Sequence, residues 1–202
     1  MFDVMRRIHE TAVRLRWRSE GCPLPPPNAV KQGTIIRYAK EAGIRVFVET
    51  GTYEGRTLRA VRPYFDRLYS IELGEDLYRK ACARFQADPK VFLFQGDSGD
   101  RLRDILEIAG DERCLFWLDA HYSRGDTARG SEDTPVLREL HAIAGHSRKD
   151  HVILVDDARC FGTDPAYPGL GRMEALVGQL FRGSSFSASE DIIRIVPSKP
   201  LR

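Results

Sequence analysis

The sequence predicts an α/β protein in which helices cover both faces of a mixed sheet of seven strands. Five short apolar segments alternate with helical segments between residues 44 and 181, a pattern typical of parallel strands joined by crossover helices. The last two apolar segments, 185–188 and 192–196, are separated by three residues. Because a crossover helix needs a longer link, these two segments predict an antiparallel hairpin at one edge of the sheet.

Length and composition narrow the class of protein. The 202 residues fit one domain at 44–202 with an N-terminal helical extension at 1–43, and 42% apolar residues suffice for a core. A net charge of +2 gives no electrostatic reason to expect a nucleic-acid partner. No apolar run approaches the roughly 20 residues of a membrane span. The four cysteines are widely spaced, so a cytoplasmic protein without zinc or redox CxxC motifs is expected.

The N-terminal extension is predicted to contain two helices. The first, at 2–18, has apolar residues at helical spacing: Met5, Ile8, Ala12 and Leu15. With arginines on its other face, this helix could contact a membrane or a partner; we expect it to cover its own domain instead. A proline-rich connector at 22–27 leads to a second helix that is capped by Asn28 and ended by Gly43. The sequence leaves open whether this extension is exchanged in a homodimer.

The alternating segments place long loops at one edge of the sheet. Parallel strands are predicted at 45–49, 68–73, 91–95, 114–119 and 151–156. Helices follow them at 56–64, 75–86, 99–108, 133–144 and 172–181. The loops at 120–132 and 158–171 follow strands four and five, at the edge where open α/β sheets bind ligands.

A glycine turn, V-E-T-G-T-Y-E-G, follows the first strand. Gly51 and Gly55 bracket this turn, and a helix begins directly after it. Glycines allow close backbone approach, while a helix N-terminus offers N–H groups and a positive dipole end. The turn lacks the G-x-G-x-x-G of a dinucleotide site, and Glu49 just before it would repel a pyrophosphate. A positively charged nucleoside ligand is therefore favoured.

An acidic residue lies at or just after the end of each parallel strand: Glu49, Glu72, Asp97, Asp119 and Asp156. A single such acid is usually a helix cap, and Asp97 could be that alone. Five of them converge on one edge of a parallel sheet and are harder to explain in this way. Glu72 lies about 20 residues beyond the glycine turn, at the end of strand two, where an acid commonly binds ribose hydroxyls.

The segments V-E-T-G-T-Y-E-G, Y-S-I-E-L and Q-G-D-S together resemble motifs one to three of class I S-adenosylmethionine-dependent methyltransferases, over about residues 44–197. The resemblance implies a Rossmann-like fold with S-adenosylmethionine as cofactor. It implies that Glu49 and the backbone of residues 51–53 hold the methionine portion, that Glu72 binds the ribose, and that Asp97 and Ser98 contact the adenine. The complete predicted cofactor site is Glu49, Gly51, Thr52, Tyr53, Gly55, Glu72, Leu73, Asp97, Ser98 and Asp119.

The segments L-D-A-H-Y and V-D-D-A-R resemble metal-dependent O-methyltransferases of the catechol and macrolide-sugar (TylF-like) types. That resemblance implies a magnesium site formed by Asp119, Asp156 and Asp157. Two carboxylates about 5 Å apart repel by roughly 3 kcal/mol at an effective dielectric near 20, so this cluster needs protons, arginines or a cation. Oxygen ligands suit Mg²⁺ or Ca²⁺ rather than zinc. The alternative is that Arg159 or Arg124 neutralises the acids without a metal.

These residues predict a catalytic site next to the cofactor. His121 is the candidate general base because histidine titrates near neutrality, and Asp119 is predicted to act with it; His121 could equally hydrogen-bond loop backbone. The loop acids Asp126, Glu132 and Asp133 extend the metal site or cap a helix. Aromatic residues of the two loops are candidates to wall an acceptor pocket: Tyr122, Phe161 and Tyr167.

The prediction is a magnesium-assisted methyltransferase that acts on a hydroxyl of a small polyhydroxylated acceptor, either a sugar or a phenolic group. The alternative from another class is a non-catalytic module that binds S-adenosylmethionine or a partner protein. A nicotinamide oxidoreductase is disfavoured, because the glycine turn differs and no Tyr-x-x-x-Lys pair is present.

Overall fold

The structure is a computed structural model that describes residues 2–120 and 134–198. Seven α-helices lie in this part of the chain: α1 Phe2–Ser19, α2 Asn28–Ala42, α3 Arg56–Val61, α4 Glu75–Phe85, α5 Ser98–Ala109, α6 Val136–Gly145 and α7 Leu170–Leu180. The strands are β1 Val46–Thr50, β2 Arg67–Glu72, β3 Val91–Gln95, β4 Cys114–Leu118, β5 Val152–Val155, β6 Ser184–Ser189 and β7 Ile192–Pro197. Short 3-10 helices follow α3 at Arg62–Tyr64 and β5 at Ala158–Cys160.

All seven strands form one sheet in the order β3-β2-β1-β4-β5-β7-β6. Strands β1 to β5 are parallel to their neighbours, while β7 runs antiparallel to both β5 and β6. The predicted mixed sheet with an antiparallel hairpin at its edge is therefore confirmed, and β4 and β5 are neighbours in it. The strand order reverses between β1 and β4, which places the ends of these two strands at the topological switch point.

Hydrophobic cores lie on both faces of the sheet, because successive strand residues point to opposite sides. Val46 and Val48 of β1 belong to the core that packs under α5, α6 and α7. Phe47 between them belongs to the core that packs under α2, α3 and α4. Helix α2 contributes Ile35 and Ala39 to this second core, so its orientation on the sheet is fixed by buried side chains.

The prediction that the apolar stripe of the first helix covers the domain is wrong. Met5, Ile8 and Leu15 are 64%, 59% and 61% exposed. Instead α1 is attached through Trp17, which is buried and donates its indole N–H to the carbonyl of Pro23 at 2.8 Å. None of the helices in the described part of the chain is long and apolar enough to cross a membrane.

Some predicted boundaries also differ. Asn28 is the first residue of α2 rather than its cap, because Pro27 takes the cap position without a side-chain hydrogen bond. Gly43 does end α2 in the left-handed conformation, with φ 65°, as predicted. The helix expected from residue 133 begins at Val136, and the capping role predicted for Asp133 lies outside the described residues.

Candidate functional site

Backbone hydrogen bonds continue the sheet just past the strand ends and bring the candidate residues together. The N–H of Asp119 donates to the carbonyl of Thr50 at 3.1 Å and also to the Thr50 hydroxyl at 3.2 Å. The N–H of Asp156 donates to the carbonyl of Leu118 at 3.0 Å. The ends of β1, β4 and β5 are therefore held in register, so the two aspartates lie at the same edge of the sheet.

The glycine turn after β1 is packed closely against the end of β4. A Cβ atom on Gly51 would lie 2.6 Å from the carbonyl oxygen of Asp119, and the φ of Gly51 is 85°, so only glycine fits here. The amides of this turn bond within the protein: the N–H groups of Gly51 and Thr52 donate to Ile71 at 2.9 and 3.2 Å, and that of Gly55 donates to Thr52 at 2.8 Å. Close backbone packing is therefore one reason for the glycine that the sequence alone did not reveal.

Glu72 closes the turn by accepting two backbone hydrogen bonds. The N–H groups of Tyr53 and Gly74 donate to its two carboxylate oxygens at 2.7 and 2.9 Å. Each oxygen keeps a second lone pair, so this buried carboxylate can still accept a hydrogen bond from a diol. Leu73, next to it, is half-buried.

Glu49 lies beneath the same turn and is buried. The hydroxyl of Ser70 donates to its carboxylate at 2.8 Å, and Ser70 is also hydrogen-bonded to the hydroxyl of Thr52 at 2.6 Å. Burial raises the pKa of Glu49 well above its ordinary value, and repulsion from Asp119 and Glu72 raises it further, against the opposing effect of the Ser70 hydrogen bond. A positively charged ligand at the turn would relieve this burial of negative charge.

Asp97 acts as the N-cap of α5, as the simpler of the two interpretations predicted. Its carboxylate accepts the N–H of Gly99 at 2.9 Å and pairs with Arg138 at 2.7 Å. The neighbouring Ser98 hydroxyl donates to the buried carboxylate of Glu139 at 2.6 Å. Burial raises the pKa of Glu139 to about 7, with Asp97 adding repulsion while the hydrogen bonds from Ser98 and Thr50 oppose the shift.

Three buried acids form a cluster at the end of β5: Asp156, Asp157 and Asp191, whose carboxylate oxygens lie within 4.8 Å of one another. We call these three residues the acid cluster. Two cations reach into it. Lys31 of α2 lies 2.5 Å from Asp156 and 3.5 Å from Asp157, and Arg159 pairs with Asp157 at 2.7 Å and with Asp191.

The charges of the acid cluster influence each other strongly. Burial, followed by repulsion from Asp119, raises the pKa of Asp156 to about 8, although Lys31 opposes this. Burial would lower the pKa of Lys31, but attraction to Asp156 and its neighbours raises it overall. We assign the proton to Lys31, because two carboxylates within 3.5 Å of its amine favour the charged form.

The predicted metal ligands are thus only partly brought together. Asp156 and Asp157 belong to the acid cluster, whose third member is Asp191 rather than Asp119. Asp119 lies near enough to raise the pKa of Asp156 by repulsion. Outside the described residues lie the candidate base His121 and the loop residues Tyr122, Arg124, Asp126, Glu132 and Asp133.

The loop after β5 shows how its aromatic residues are used. The rings of Phe161 and Tyr167 meet edge to face with centroids 5.0 Å apart. Burial raises the pKa of the Tyr167 hydroxyl, and the charges of Cys160, Asp157 and Asp119 raise it further. Tyr167 therefore stays a neutral, half-buried side chain near the acid cluster.

Sequence reasoning missed three residues of this site. Lys31 lies in the predicted N-terminal extension, and Asp191 lies in the link of the predicted hairpin, so nothing local pointed to either. Glu139 could have been found, because it interrupts the apolar stripe of α6 formed by Val136, Leu140 and Ile143, all of which are buried. A carboxylate within such a stripe must be buried too, and it needs hydrogen-bond partners.

Comparisons with known proteins establish the fold. No family model matches the sequence, and no curated protein matches it. Among solved structures, the O-methyltransferase TomG from Streptomyces achromogenes in complex with S-adenosylmethionine has a TM-score of 0.61 at 17% identity, over 93% of this chain and 89% of that one. The O-methyltransferase from Bacillus cereus bound to S-adenosylhomocysteine has a TM-score of 0.55 at 16% identity, over 93% and 90% of the two chains.

A further match is the methyltransferase MycE from the mycinamycin biosynthetic pathway, in complex with magnesium, S-adenosylhomocysteine and mycinamycin VI. Its TM-score is 0.56 at 15% identity, over 82% of this chain and 48% of that one. The chain thus has the fold of class I S-adenosylmethionine-dependent methyltransferases, and its solved neighbours include several O-methyltransferases. The predicted fold class is confirmed.

Proposed function

We propose that the chain transfers a methyl group from S-adenosylmethionine to a hydroxyl group of a small polyhydroxylated acceptor, either a sugar or a phenol. The observation that carries this proposal is the pair of buried acids, Glu49 and Glu72, on either side of the glycine turn. Buried negative charge at the switch point of this fold favours a positively charged nucleoside and disfavours a pyrophosphate. The O-methyltransferase structures with the same fold support the choice of chemistry.

The cofactor would be divided among the strand ends. Glu49 and the turn at residues 51–55 would hold the methionine portion, with Glu49 facing positive charge. Glu72 would accept hydrogen bonds from the ribose hydroxyls, next to Leu73. Ser98, at the start of α5, would lie beside the adenine, with Asp97 fixing the helix end there.

In the chemical step, the acceptor oxygen attacks the methyl carbon as the bond from that carbon to sulfur breaks. The products are the methyl ether and neutral S-adenosylhomocysteine, and the acceptor proton passes to a base. Asp119 follows β4 beside the glycine turn, where a carboxylate can orient an acceptor hydroxyl or receive its proton. His121 is the sequence-based candidate for the same role.

Magnesium assistance by Asp119, Asp156 and Asp157 stays a prediction. Chelation of two vicinal hydroxyls by a magnesium ion would lower their pKa. The acid cluster has the oxygen ligands that such an ion prefers, but Lys31 and Arg159 are paired with them. We therefore assign no step of the transfer to a metal.

Calorimetry with S-adenosylhomocysteine tests the cofactor site directly. We expect the wild-type chain to bind, and Glu72→Ala to lose at least tenfold in affinity, because the variant removes the ribose acceptor and loosens the turn. Glu75→Ala is the matched control, since this glutamate is exposed on the first turn of α4. If wild-type protein shows no binding at millimolar ligand, the proposed function is wrong.

A non-catalytic module that binds S-adenosylmethionine is the second candidate. The observation that favours it is the ion pairing of the acid cluster, which gives these acids a structural use. Incubation with methyl-labelled S-adenosylmethionine and panels of catechols and sugars separates the two candidates. Labelled ether in the wild-type reaction, and none with the Glu72→Ala variant, would exclude the non-catalytic module.

A further inference from the structure

We propose that Lys31 is the built-in cation of the acid cluster, and that its ammonium takes the position where a divalent ion would otherwise bind. Among the residues that the structure describes, the acid cluster fits a metal best, because it offers three buried carboxylates within 4.8 Å. Lys31 belongs to the N-terminal extension, outside residues 44–197, over which the sequence resembles methyltransferases. The structure therefore joins the extension to the chemistry of the sheet edge.

The hydrogen bonds of the acid cluster leave little room for a metal. Asp156 accepts the backbone N–H of Asp157 at 2.8 Å with one carboxylate oxygen and Lys31 at 2.5 Å with the other. Asp191 accepts the backbone N–H of Arg159 at 2.8 Å with one oxygen and its guanidinium with the other. A magnesium ion needs oxygen ligands at about 2.1 Å in octahedral geometry, so it would have to displace the ammonium.

Electrostatic repulsion opposes the presence of both cations in the acid cluster. A divalent ion about 4 Å from the ammonium would be repelled by roughly 8 kcal/mol at an effective dielectric of 20. The acid cluster has three carboxyl groups, and Lys31 with Arg159 supplies two positive charges. Asp119, a further acid of this edge, adjoins the glycine turn, where a cofactor that contains a sulfonium would face it.

The position of Lys31 is set by the packing of its helix rather than by a mobile surface chain. Its neighbour Val30 is buried, and Ile35 and Ala39 further along α2 belong to the core. The Lys31 side chain is only 16% exposed. Because α2 is anchored in this way, the backbone of Lys31 is fixed, and only its side chain has to be ordered to hold the ammonium over the acid cluster.

A fixed ammonium can perform part of the work of a metal ion. A positive charge beside the acceptor stabilises the oxygen as its proton leaves, since the negative charge that develops there is attracted to it. This consequence rests on the proposed methyl transfer. The cation position itself does not, and it can be tested without any turnover.

A calorimetric titration with Mn²⁺ tests whether Lys31 fills the position of a divalent ion. Mn²⁺ prefers the same oxygen ligands as Mg²⁺. We expect wild-type protein to show no saturable Mn²⁺ binding below about 1 mM, as for a weak surface site. Lys31→Met should bind Mn²⁺ at least tenfold more tightly than wild type. Combining Lys31→Met with Asp156→Asn should remove the gain. Lys40→Met, at an exposed lysine of the same helix, should behave as wild type.

Thermal unfolding gives a second readout. Lys31→Met leaves a buried carboxylate without its cation, so the melting temperature of the variant should be lower than that of wild type. Mn²⁺ should raise the melting temperature of the variant again. If this variant does not fold, wild type and Lys31→Arg still decide, because tight Mn²⁺ binding by either would overturn the proposal. Equal affinity in wild type and a folded Lys31→Met variant would also overturn it.

The two proposals fail in different experiments. Absence of S-adenosylhomocysteine binding would reject the proposed function and leave the Mn²⁺ titrations unaffected. If methyl transfer occurs, it should be unchanged in EDTA for wild-type protein. Loss of transfer in EDTA, restored by Mg²⁺, would show that the metal displaces Lys31 and would overturn the role of the lysine.

Discussion

Replacing Glu139 with glutamine should change how the stability of the fold depends on pH. Glu139 is buried with a pKa raised to about 7, whereas a glutamate in the unfolded chain titrates near 4.3. The folded state therefore holds a proton that the unfolded state has lost between these two values. Its contribution to stability is complete below the lower pKa and is lost as the pH rises to about 7.

The size of this effect follows from the two pKa values. A shift of one pKa unit is worth 1.36 kcal/mol, so Glu139 should withdraw about 2 to 3 kcal/mol of unfolding free energy between pH 5 and pH 8. The buried His151 acts in the opposite direction. Burial, with the nearby charge of His146, lowers its pKa to about 4, so its contribution is present above about pH 6.5 and is lost as the pH falls towards 4.

Urea unfolding of wild type, Glu139→Gln and His151→Gln at half-unit steps of pH separates the two groups. The slopes of these two groups oppose each other near pH 5 to 6, so the wild-type curve alone does not separate them. The difference between wild type and Glu139→Gln should fall with rising pH, and the difference for His151→Gln should rise. Glu107→Gln, at an exposed position of α5, is the control. Parallel curves for wild type and Glu139→Gln would refute a protonated Glu139.

Further variants test the packing of the glycine turn and of α1, and the charge of Glu49. Gly51→Ala should lower the free energy of unfolding in urea by about 3 kcal/mol, and Gly21→Ala should lower it by about 1 kcal/mol. Both glycines have φ above 80°, but of the two only Gly51 has a neighbour that an added Cβ would crowd. Equal losses in the two variants would refute the close packing of Gly51. Trp17→Ala should lower the free energy of unfolding by about 3 kcal/mol, and Leu15→Ala, at an exposed position, should lower it by less than about 0.5 kcal/mol. Similar losses in the two variants would contradict attachment of α1 through Trp17. Burial raises the pKa of Glu49, so calorimetry at a series of pH values should show tighter binding of S-adenosylmethionine to wild type once this carboxyl is ionised and attracts the cation. Glu49→Gln should lack this change, and the same pH dependence in both proteins would contradict the attraction by Glu49.

The strands and the antiparallel edge could be predicted because their signals are local. Val46 to Val48 form an apolar run that ends at an acid, and the three residues between the last two predicted strands exclude a crossover. The same periodicity misled for α1, since Met5 and Leu15 have helical spacing but remain exposed. Spacing shows which residues share a face of a helix, and it does not show whether another element covers that face.

The site could be predicted only where strand ends carry it. Glu49 and Glu72 come directly from the alternation of strand and turn, because parallel strands end at one edge. Lys31 and Asp191 depend on how α2 and the final hairpin pack, which no local pattern encodes. The hydrogen bonds of the turn amides could not be predicted either, since Gly51 and Thr52 donate to the carbonyl of Ile71 on the neighbouring strand.

The acid cluster also differs from the glycine turn in the order in which it can form. The contacts among Glu49, Thr52, Ser70 and Glu72 join residues within 49–72, so they can close as soon as β1 and β2 pair. Lys31 and Asp156 are 125 residues apart, and Arg159 needs Asp191, another 32 residues on. A chain that emerges from the ribosome can thus form the contacts around the glycine turn early, whereas Arg159 pairs with Asp191 only after the final hairpin has docked.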